Sequence, residues 1–206
     1  MAKDGKALVL GRDQITRVHD ANGDGEADFL ESASNLQQNS EHFHEPAAGL
    51  LEAPDGSFYY IKAARHAKLG LHDHHGTVLR VSADGTEVEV VARGFRAPFG
   101  LALLPDGAML GSDQEGHWMP ANRINLIRPS SEAPRFYGNG WSARPDGRAL
   151  EPWDDAVAWE PPLCWLHPSV DRSPSAQLRV DHPAWGPLDG ALLGLSYGTG
   201  EIYLIL

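Results

Sequence analysis

One stretch of this sequence occurs twice, and the spacing of the two copies constrains the fold more than any other feature. Gly49–Ala63 reads GLLEAPDGSFYYIKA and Gly100–Asp113 reads GLALLPDGAMLGSD, so both place Gly-Leu and then Pro-Asp-Gly before an apolar segment. The copies lie 51 residues apart, from Gly49 to Gly100. Repeats of about 40–50 residues built from short strands are typical of β-propeller blades. A β-sandwich with coincidental Pro-Asp-Gly turns is the alternative.

Short segments rich in β-branched and aromatic residues fill much of the remaining chain, and turn residues separate them. No stretch keeps a 3.6-residue apolar period, so the pattern predicts an all-β chain. At blade-sized spacing, 206 residues hold about four blades of four strands, which predicts a single propeller domain over residues 1–206. The last segment, GEIYLIL, is apolar and lacks a following partner strand. We therefore expect a fragment of a longer propeller or an unusually short one.

Charge and cysteine content argue against several classes of function. Asp and Glu number 28 against 17 Lys and Arg, and the formal net charge of -11 disfavours nucleic acid and anionic membranes as partners. Cys164 is the single cysteine, so the sequence has neither a disulfide framework nor a CxxCH haem attachment site. We expect no signal peptide from the first residues, and no apolar run reaches the ~20 residues of a membrane span.

A second motif, HDANGDGEADFLE from His19 to Glu31, contains the pattern of the calcium loop of an EF-hand. The flanking segments look like strands, which excludes helix–loop–helix geometry but leaves a calcium loop between two strands. The candidate ligands are Asp20, Asn22, Asp24, Glu26, Asp28 and Glu31. A solvated acidic turn is the alternative, because Asp, Asn and Gly favour turns without any ion.

The chain has 10 histidines, and several of them are grouped. His72 and His74 alternate in HDHHG and are followed by His75, so a metal site competes with a solvated or hydrogen-bonded loop. His44, in HFHEP, precedes the first repeat, a position from which it could enter the central channel of a propeller. A histidine with an ordinary pKa near 6.5 suits a general base at neutral pH.

The stretch from His74 to Ile127 resembles the glucose/sorbosone dehydrogenase family of quinoprotein β-propellers. The similar segments are GTVLRVSADG, GFRAPFGLALLPDG and an acidic Gln/Gly loop that leads into INLI. PPLCWLHPSVD and GALLGLSYGTGEIYL are similar to segments of large secreted proteins of planctomycete and verrucomicrobial type. In such proteins the propeller is commonly fused to a c-type haem domain. The resemblance extends from about Gly11 to Leu206, and it implies a periplasmic or secreted protein with a haem domain or further blades as partners.

The resemblance implies a calcium-containing dehydrogenase that oxidises a sugar or polyol with pyrroloquinoline quinone (PQQ). In that role His44 would accept the hydroxyl proton, and Arg96 would stabilise charge on the reduced quinone. The loop residues that would hold the cofactor and its calcium ion are Gln114, Glu115 and Gly116. Ala97 departs from the family pattern, which has asparagine there, and so removes one polar contact.

Two other functions stay open. A non-catalytic propeller would bind a carbohydrate or another protein, and Ala97 favours this alternative. A calcium-dependent lactone hydrolase would need oxygen ligands on the propeller axis, for which the candidates are Glu115, Asn122 and Asn125. Tryptophans of the second half either stack on sugar rings or pack between blades, and these are Trp141, Trp153, Trp159 and Trp165.

Overall fold

Four sheets follow one another along the chain in a computed structural model that describes residues 2–3, 6–66, 68, 70–116, 119–139 and 158–206. Blade 1 consists of β1 (Ala2–Lys3), β2 (Lys6–Leu10), β3 (Ile15–His19) and β4 (Phe29–Ser34). Blade 2 consists of β5 (Ala47–Glu52), β6 (Phe58–Lys62), β7 (Thr77–Val81) and β8 (Val88–Arg93), and β12 (Arg135–Phe136) pairs parallel to β8.

Blades 3 and 4 complete the described chain. Blade 3 contains β9 (Pro98–Leu103), β10 (Met109–Asp113), β11 (Asn122–Ile127) and β13 (Cys164–Leu166). Blade 4 contains β14 (Pro174–Arg179), β15 (Leu192–Ser196) and β16 (Glu201–Ile205), with a 3-10 segment at Pro183–Leu188. Successive strands within these blades run antiparallel, so the predicted all-β propeller with about four blades in this chain is confirmed. Among the described residues, no helix is long and apolar enough to cross a membrane.

The first strands of blades 2, 3 and 4 lie side by side. Strand β9 contacts both β5 and β14, although it forms no sheet with either. Between blades 2 and 3 lies a hydrophobic cluster that includes Ile61, Val78, Phe95, Met109, Ile127 and Tyr137. The inner strands therefore surround a common region, and apolar side chains hold neighbouring blades together.

The two repeat glycines explain why the 51-residue repeat carries Gly-Leu. Gly49 and Gly100 have φ of 71° and 78°, and the strand pairing shifts beside each of them. A Cβ on Gly49 would lie 2.5 Å from the backbone nitrogen of Leu101, and a Cβ on Gly100 would lie 2.7 Å from Cα of Ala176. Each glycine thus permits the next inner strand to approach, while the Pro-Asp-Gly turns join β5 to β6 and β9 to β10.

Candidate functional site

A pocket of about 410 Å³ lies where the inner strands of blades 2, 3 and 4 begin. Each inner strand contributes residues near its start, and each second strand contributes the residue after its end, such as Ala63, Gln114 and Tyr197. The lining residues are His44, Pro46, Ala63, His66, Ala97, Pro98, Phe99, Gln114, Ser173, Pro174, Ser175 and Tyr197. Because equivalent positions of three blades form it, the pocket is a product of the propeller architecture.

The pocket combines apolar walls with a few uncharged polar groups. Phe99 and Tyr197 line it and keep 48% and 85% of their surface exposed. Gln114 donates from Nε2 to Oγ of Ser173 at 2.5 Å, which joins blade 3 to the segment that precedes blade 4. Among the described residues that line the pocket, none is Asp, Glu, Lys or Arg. This chemistry suits a neutral ligand with an apolar face and hydroxyl groups.

His44 stands at the pocket beside a second imidazole that the sequence did not single out. The rings of His44 and His66 are stacked, with centroids 4.3 Å apart and an interplanar angle of 15°. The backbone nitrogen of His44 donates to Nδ1 of His42 at 3.3 Å. A ring nitrogen on this pair could exchange a hydrogen bond with a hydroxyl group in the pocket.

Arg96 lies beside the pocket but does not line it. Its guanidinium carbon lies 3.0 Å from the point where a Cβ on Gly116 would be placed. The backbone nitrogens of Arg96 and Ala97 donate to the Asp113 carboxylate at 3.1 and 2.8 Å. Asp113 also forms a fully buried ion pair with Arg123, with 2.6 Å between Oδ2 and Nη2. The structure therefore brings His44 and Gln114 to one pocket and holds the Arg96 segment in the framework behind it.

The loop after β10 and its neighbouring asparagines serve the framework. The backbone nitrogen of Glu115 donates to Oδ1 of Asn122 at 2.9 Å, and Nδ2 of Asn122 donates to the Asp171 carbonyl at 2.7 Å. Asn125 donates from Nδ2 to the Gly111 carbonyl at 3.3 Å. Both asparagines are fully buried, and neither lines the pocket. They do not present the ligand set that the lactone-hydrolase interpretation requires.

The acidic motif forms an exposed connection between β3 and β4, so strands flank it as predicted. The Asp20 carboxylate accepts from the backbone nitrogens of Gly23 and Gly25 at 2.6 and 2.9 Å. These hydrogen bonds, with Gly25 contributing most, lower the pKa of Asp20. Other contacts within the turn join Asp24 to Asn22 and Glu26, and Asp28 to Ala21 and Asn22.

Glu31 faces the neighbouring strand of the same hairpin. Its carboxylate lies 2.7 Å from Nε2 of His19 and 3.0 Å from Nη1 of Arg17. The hydrogen bond from His19, followed by that from Arg17, lowers the pKa of Glu31. In the part of the chain that the structure describes, the acidic motif does not bring ligand atoms of three Asp, Glu or His side chains within 4.8 Å of one another. Calcium binding there stays a prediction.

A buried cluster forms around Glu45, a residue that the sequence analysis did not select. Oε1 of Glu45 lies 2.9 Å from Nε2 of His72, 2.9 Å from Nε2 of His75 and 3.0 Å from Nζ of Lys62. Burial acts to raise the pKa of Glu45, but hydrogen bonds from these three side chains and from Ser40 outweigh burial and lower it. Lys62, at the end of an otherwise apolar strand, is the sequence signal that could have indicated a buried carboxylate partner.

His74 does not contact Glu45. The sequence pattern paired His72 with His74 as candidate metal ligands, whereas in the structure His72 and His75 contact the same carboxylate. Nδ1 of His74 accepts from the backbone nitrogen of Gln38 at 3.0 Å. Burial, helped by the charges of His72 and Lys62, lowers the pKa of His74 to about 4. His74 therefore stays neutral in the folded protein at a pH where it is protonated in the unfolded chain.

We expect acidification to destabilise the protein partly through His74. As pH falls from 6.5 towards 4, the unfolded chain binds a proton at this residue before the folded chain does, so unfolding becomes more favourable. Between pH 7 and pH 5 the wild type should lose about 1–2 kcal/mol more unfolding free energy than His74→Asn. The asparagine oxygen can still accept from Gln38. Urea unfolding at both pH values measures the difference, and equal losses in the two proteins would contradict it.

The tryptophans do not build the pocket within the described chain. Trp159 and Trp165 form an edge-to-face pair with ring centroids 6.4 Å apart. Trp159 packs against Gly138, since a Cβ on Gly138 would lie 2.9 Å from the Trp159 ring. Neither Trp159 nor Trp165 lines the pocket. Trp141 and Trp153 lie outside the described residues. The aromatic side chains at the pocket are instead Phe99 and Tyr197.

Comparison with solved structures places this architecture among sugar-dehydrogenase-type propellers. The apo soluble aldose sugar dehydrogenase of Escherichia coli aligns with a TM-score of 0.59 at 12% identity, covering 97% of this chain and 66% of that protein. A glucose dehydrogenase aligns at 0.64 and 18% identity, covering 99% and 62%, respectively. A putative gluconolactonase aligns at 0.55 and 17% identity, covering 99% and 57%.

These similarities define the fold, which is that of a glucose dehydrogenase-like β-propeller. The chain spans about 57–66% of the length of these three structures. No protein-family model and no curated protein matches the sequence. Identities below 25% carry the fold but not the reaction, because one fold supports many activities.

Proposed function

We propose that this chain is the ligand-binding part of a sugar dehydrogenase-like propeller and that its pocket binds a neutral carbohydrate or polyol. The observation that carries the proposal is an uncharged pocket lined by Phe99, Tyr197 and the stacked His44–His66 pair. Aromatic rings pack against the apolar faces of sugars, while a few polar groups orient the hydroxyls. Ser173, Ser175 and Gln114 add such groups to the lining.

His44 is the residue we assign to proton acceptance within this pocket. A neutral imidazole could accept a hydrogen bond from a ligand hydroxyl and then its proton. Oxidation of that hydroxyl also requires a two-electron acceptor, which binding alone does not provide. Without an acceptor, the same geometry supports recognition, as in the non-catalytic interpretation.

The described pocket does not fit PQQ, the acceptor that the resemblance implies. That quinone carries three carboxylates, and fixed cations are needed to hold such a group away from water. The described lining residues provide no Lys or Arg, and the Arg96 guanidinium packs against Gly116, outside that lining. We therefore assign no oxidation step to this chain's own residues. A quinone absorbance band retained by the purified protein after incubation with PQQ and Ca²⁺ would overturn this assignment.

Calorimetric titration with D-glucose and D-sorbitol tests the proposed binding. Tyr197→Ala should weaken the binding of the better ligand about five- to tenfold, because the exposed ring is lost from the pocket wall. Trp185→Ala is the matched control, since Trp185 is 52% exposed and lies outside the pocket. Equal affinities in the two variants, or no binding of either compound by the wild type, would contradict the proposal.

Three further parts of the proposal follow from sequence pattern and resemblance. Calcium would stabilise the β3–β4 loop. A melting temperature that does not change during calcium titration would contradict this part of the proposal. A periplasmic or secreted location would be consistent with a sugar-binding role. A haem domain or further blades in a longer parent protein would be its partners, and the mass of the protein that an antibody against the propeller detects in the source organism would test this.

A further inference from the structure

The Glu45 cluster lies directly behind the pocket wall. Glu45 stands between His44 and Pro46, both of which line the pocket, and Lys62 precedes the lining residue Ala63. The backbone nitrogen of Ala63 donates to the Pro46 carbonyl at 3.0 Å. The Glu45–Lys62 ion pair therefore links the two segments that carry the pocket histidines.

The histidine nitrogens show what kind of cluster this is. Nδ1 of His75 accepts from the backbone nitrogen of Leu71 at 3.0 Å, and Nδ1 of His72 accepts from that of His74 at 3.2 Å. Since Nδ1 is an acceptor in both rings, the proton of each neutral imidazole is on Nε2, the atom that faces Glu45. A metal ion would need the lone pair of Nε2 instead.

The contacts of Lys62 also argue against a metal ion in this cluster. Its ammonium lies 3.0 Å from Oε1 of Glu45 and donates to Oδ1 of Asn39 at 2.7 Å, with no exposed side-chain surface. A divalent cation at Oε1 would stand beside this buried positive charge. The second oxygen of Glu45 accepts from both the backbone nitrogen and Oγ of Ser40. The carboxylate is thus surrounded by donors from three segments of the chain.

We propose that Glu45 is a positioning residue of the pocket, whose buried carboxylate fixes the stacked His44–His66 pair by gathering Lys62, His72, His75 and Ser40 around it. The donors come from the segments around residues 40, 62 and 72–75, and the Glu45 carboxylate is the one group of this cluster that contacts all three. The inference deepens the proposed function, since it concerns the same pocket, but its test does not depend on a sugar.

Histidine NMR with ring-labelled protein provides that test. In the wild type, ring protons of His44 and His66 should give a mutual Overhauser effect, assigned with His44→Gln and His66→Gln. Glu45→Gln should abolish this effect, because an amide cannot accept from all the donors. Glu89→Gln is the matched control, because Glu89 forms a partly exposed ion pair with Arg80, and it should leave the effect unchanged.

A double variant distinguishes the effect of Glu45 on the positions of His44 and His66 from its effect on stability. Glu45→Gln leaves Lys62 buried without its carboxylate, which we expect to lower the melting temperature by about 10 °C. Adding Lys62→Met removes the unpaired charge and should recover most of that loss, while the His44–His66 effect stays absent. Recovery of the effect together with stability would overturn the proposal, as would its persistence in folded Glu45→Gln.

Zinc addition tests the opposite interpretation of the cluster. We expect Zn²⁺ alone, titrated into the wild type, to produce no stabilisation that depends on His75. A rise in melting temperature that His75→Asn abolishes would identify a metal site and overturn the proposal. Failure of D-glucose and D-sorbitol to bind would overturn the proposed function. It would not affect the test of Glu45 as a positioning residue, because the NMR measurement uses no sugar.

Discussion

Replacing Arg123 with methionine should lower the free energy of unfolding by about 3–5 kcal/mol, because it leaves the buried Asp113 carboxylate without its cation. Both side chains are fully buried, and they face each other across paired strands β10 and β11. The guanidinium also donates to the carbonyls of Gly94 and Tyr137, so its loss removes a donor from each of them as well.

Arg128→Met is the control for this prediction. Arg128 follows the same strand, but it is about half exposed and lies 3.4 Å from an equally exposed Asp106. Its replacement should cost at most about 1 kcal/mol. Urea unfolding of both variants measures the difference. A cost for Arg123→Met no larger than that for Arg128→Met would show that the buried pair does not hold blade 3 together.

Gly100→Ala should destabilise the protein by about 2–4 kcal/mol, because it adds both backbone strain and a collision between blades. Gly100 has φ of 78°, and a Cβ there would lie 2.7 Å from Cα of Ala176 in the next blade. Backbone on both sides leaves no flexible side chain to move aside. The inner strands β9 and β14 would have to separate.

Gly107→Ala is the control that introduces backbone strain without a steric collision between blades. Gly107 has a similar φ of 82°, in the Pro-Asp-Gly turn, but a Cβ there would meet no atom within 4 Å. Its replacement should cost about 1 kcal/mol. Chemical denaturation of the two variants gives the comparison directly. Equal costs would mean that close approach of the inner strands is not what requires glycine at Gly100.

The repeat was sufficient to predict the blades because its signals are local. Pro-Asp-Gly specifies a turn, and Gly-Leu at a constant distance before it marks an inner strand at its contact with the next blade. The pocket was partly predictable for the same reason, since His44 precedes the first repeat and Gln114 directly follows β10 at the end of the second. Phe99 and Tyr197 were missed because nothing in their local sequence distinguishes a pocket aromatic from a packed one.

The contacts of Arg96 and Glu45 could not be predicted from the sequence. Arg96 occupies the family's motif position, yet its segment is held by Asp113, whose own orientation depends on pairing with Arg123 across a long connection. The Glu45 cluster joins residues 27 and 30 positions apart, with strands β5 and β6 between them in the chain. Contacts of this kind depend on tertiary placement, which neither spacing nor alternation encodes.

Since each sector of the pocket wall comes from a different blade, its properties are modular. A substitution at Phe99 alters the portion supplied by blade 3, whereas Tyr197 belongs to blade 4 and His66 to blade 2. All three lie where a strand begins or beyond its end, outside the interior of the hydrogen-bonded ladders. The pocket wall can therefore be altered one sector at a time while the sheets that carry the sectors stay intact.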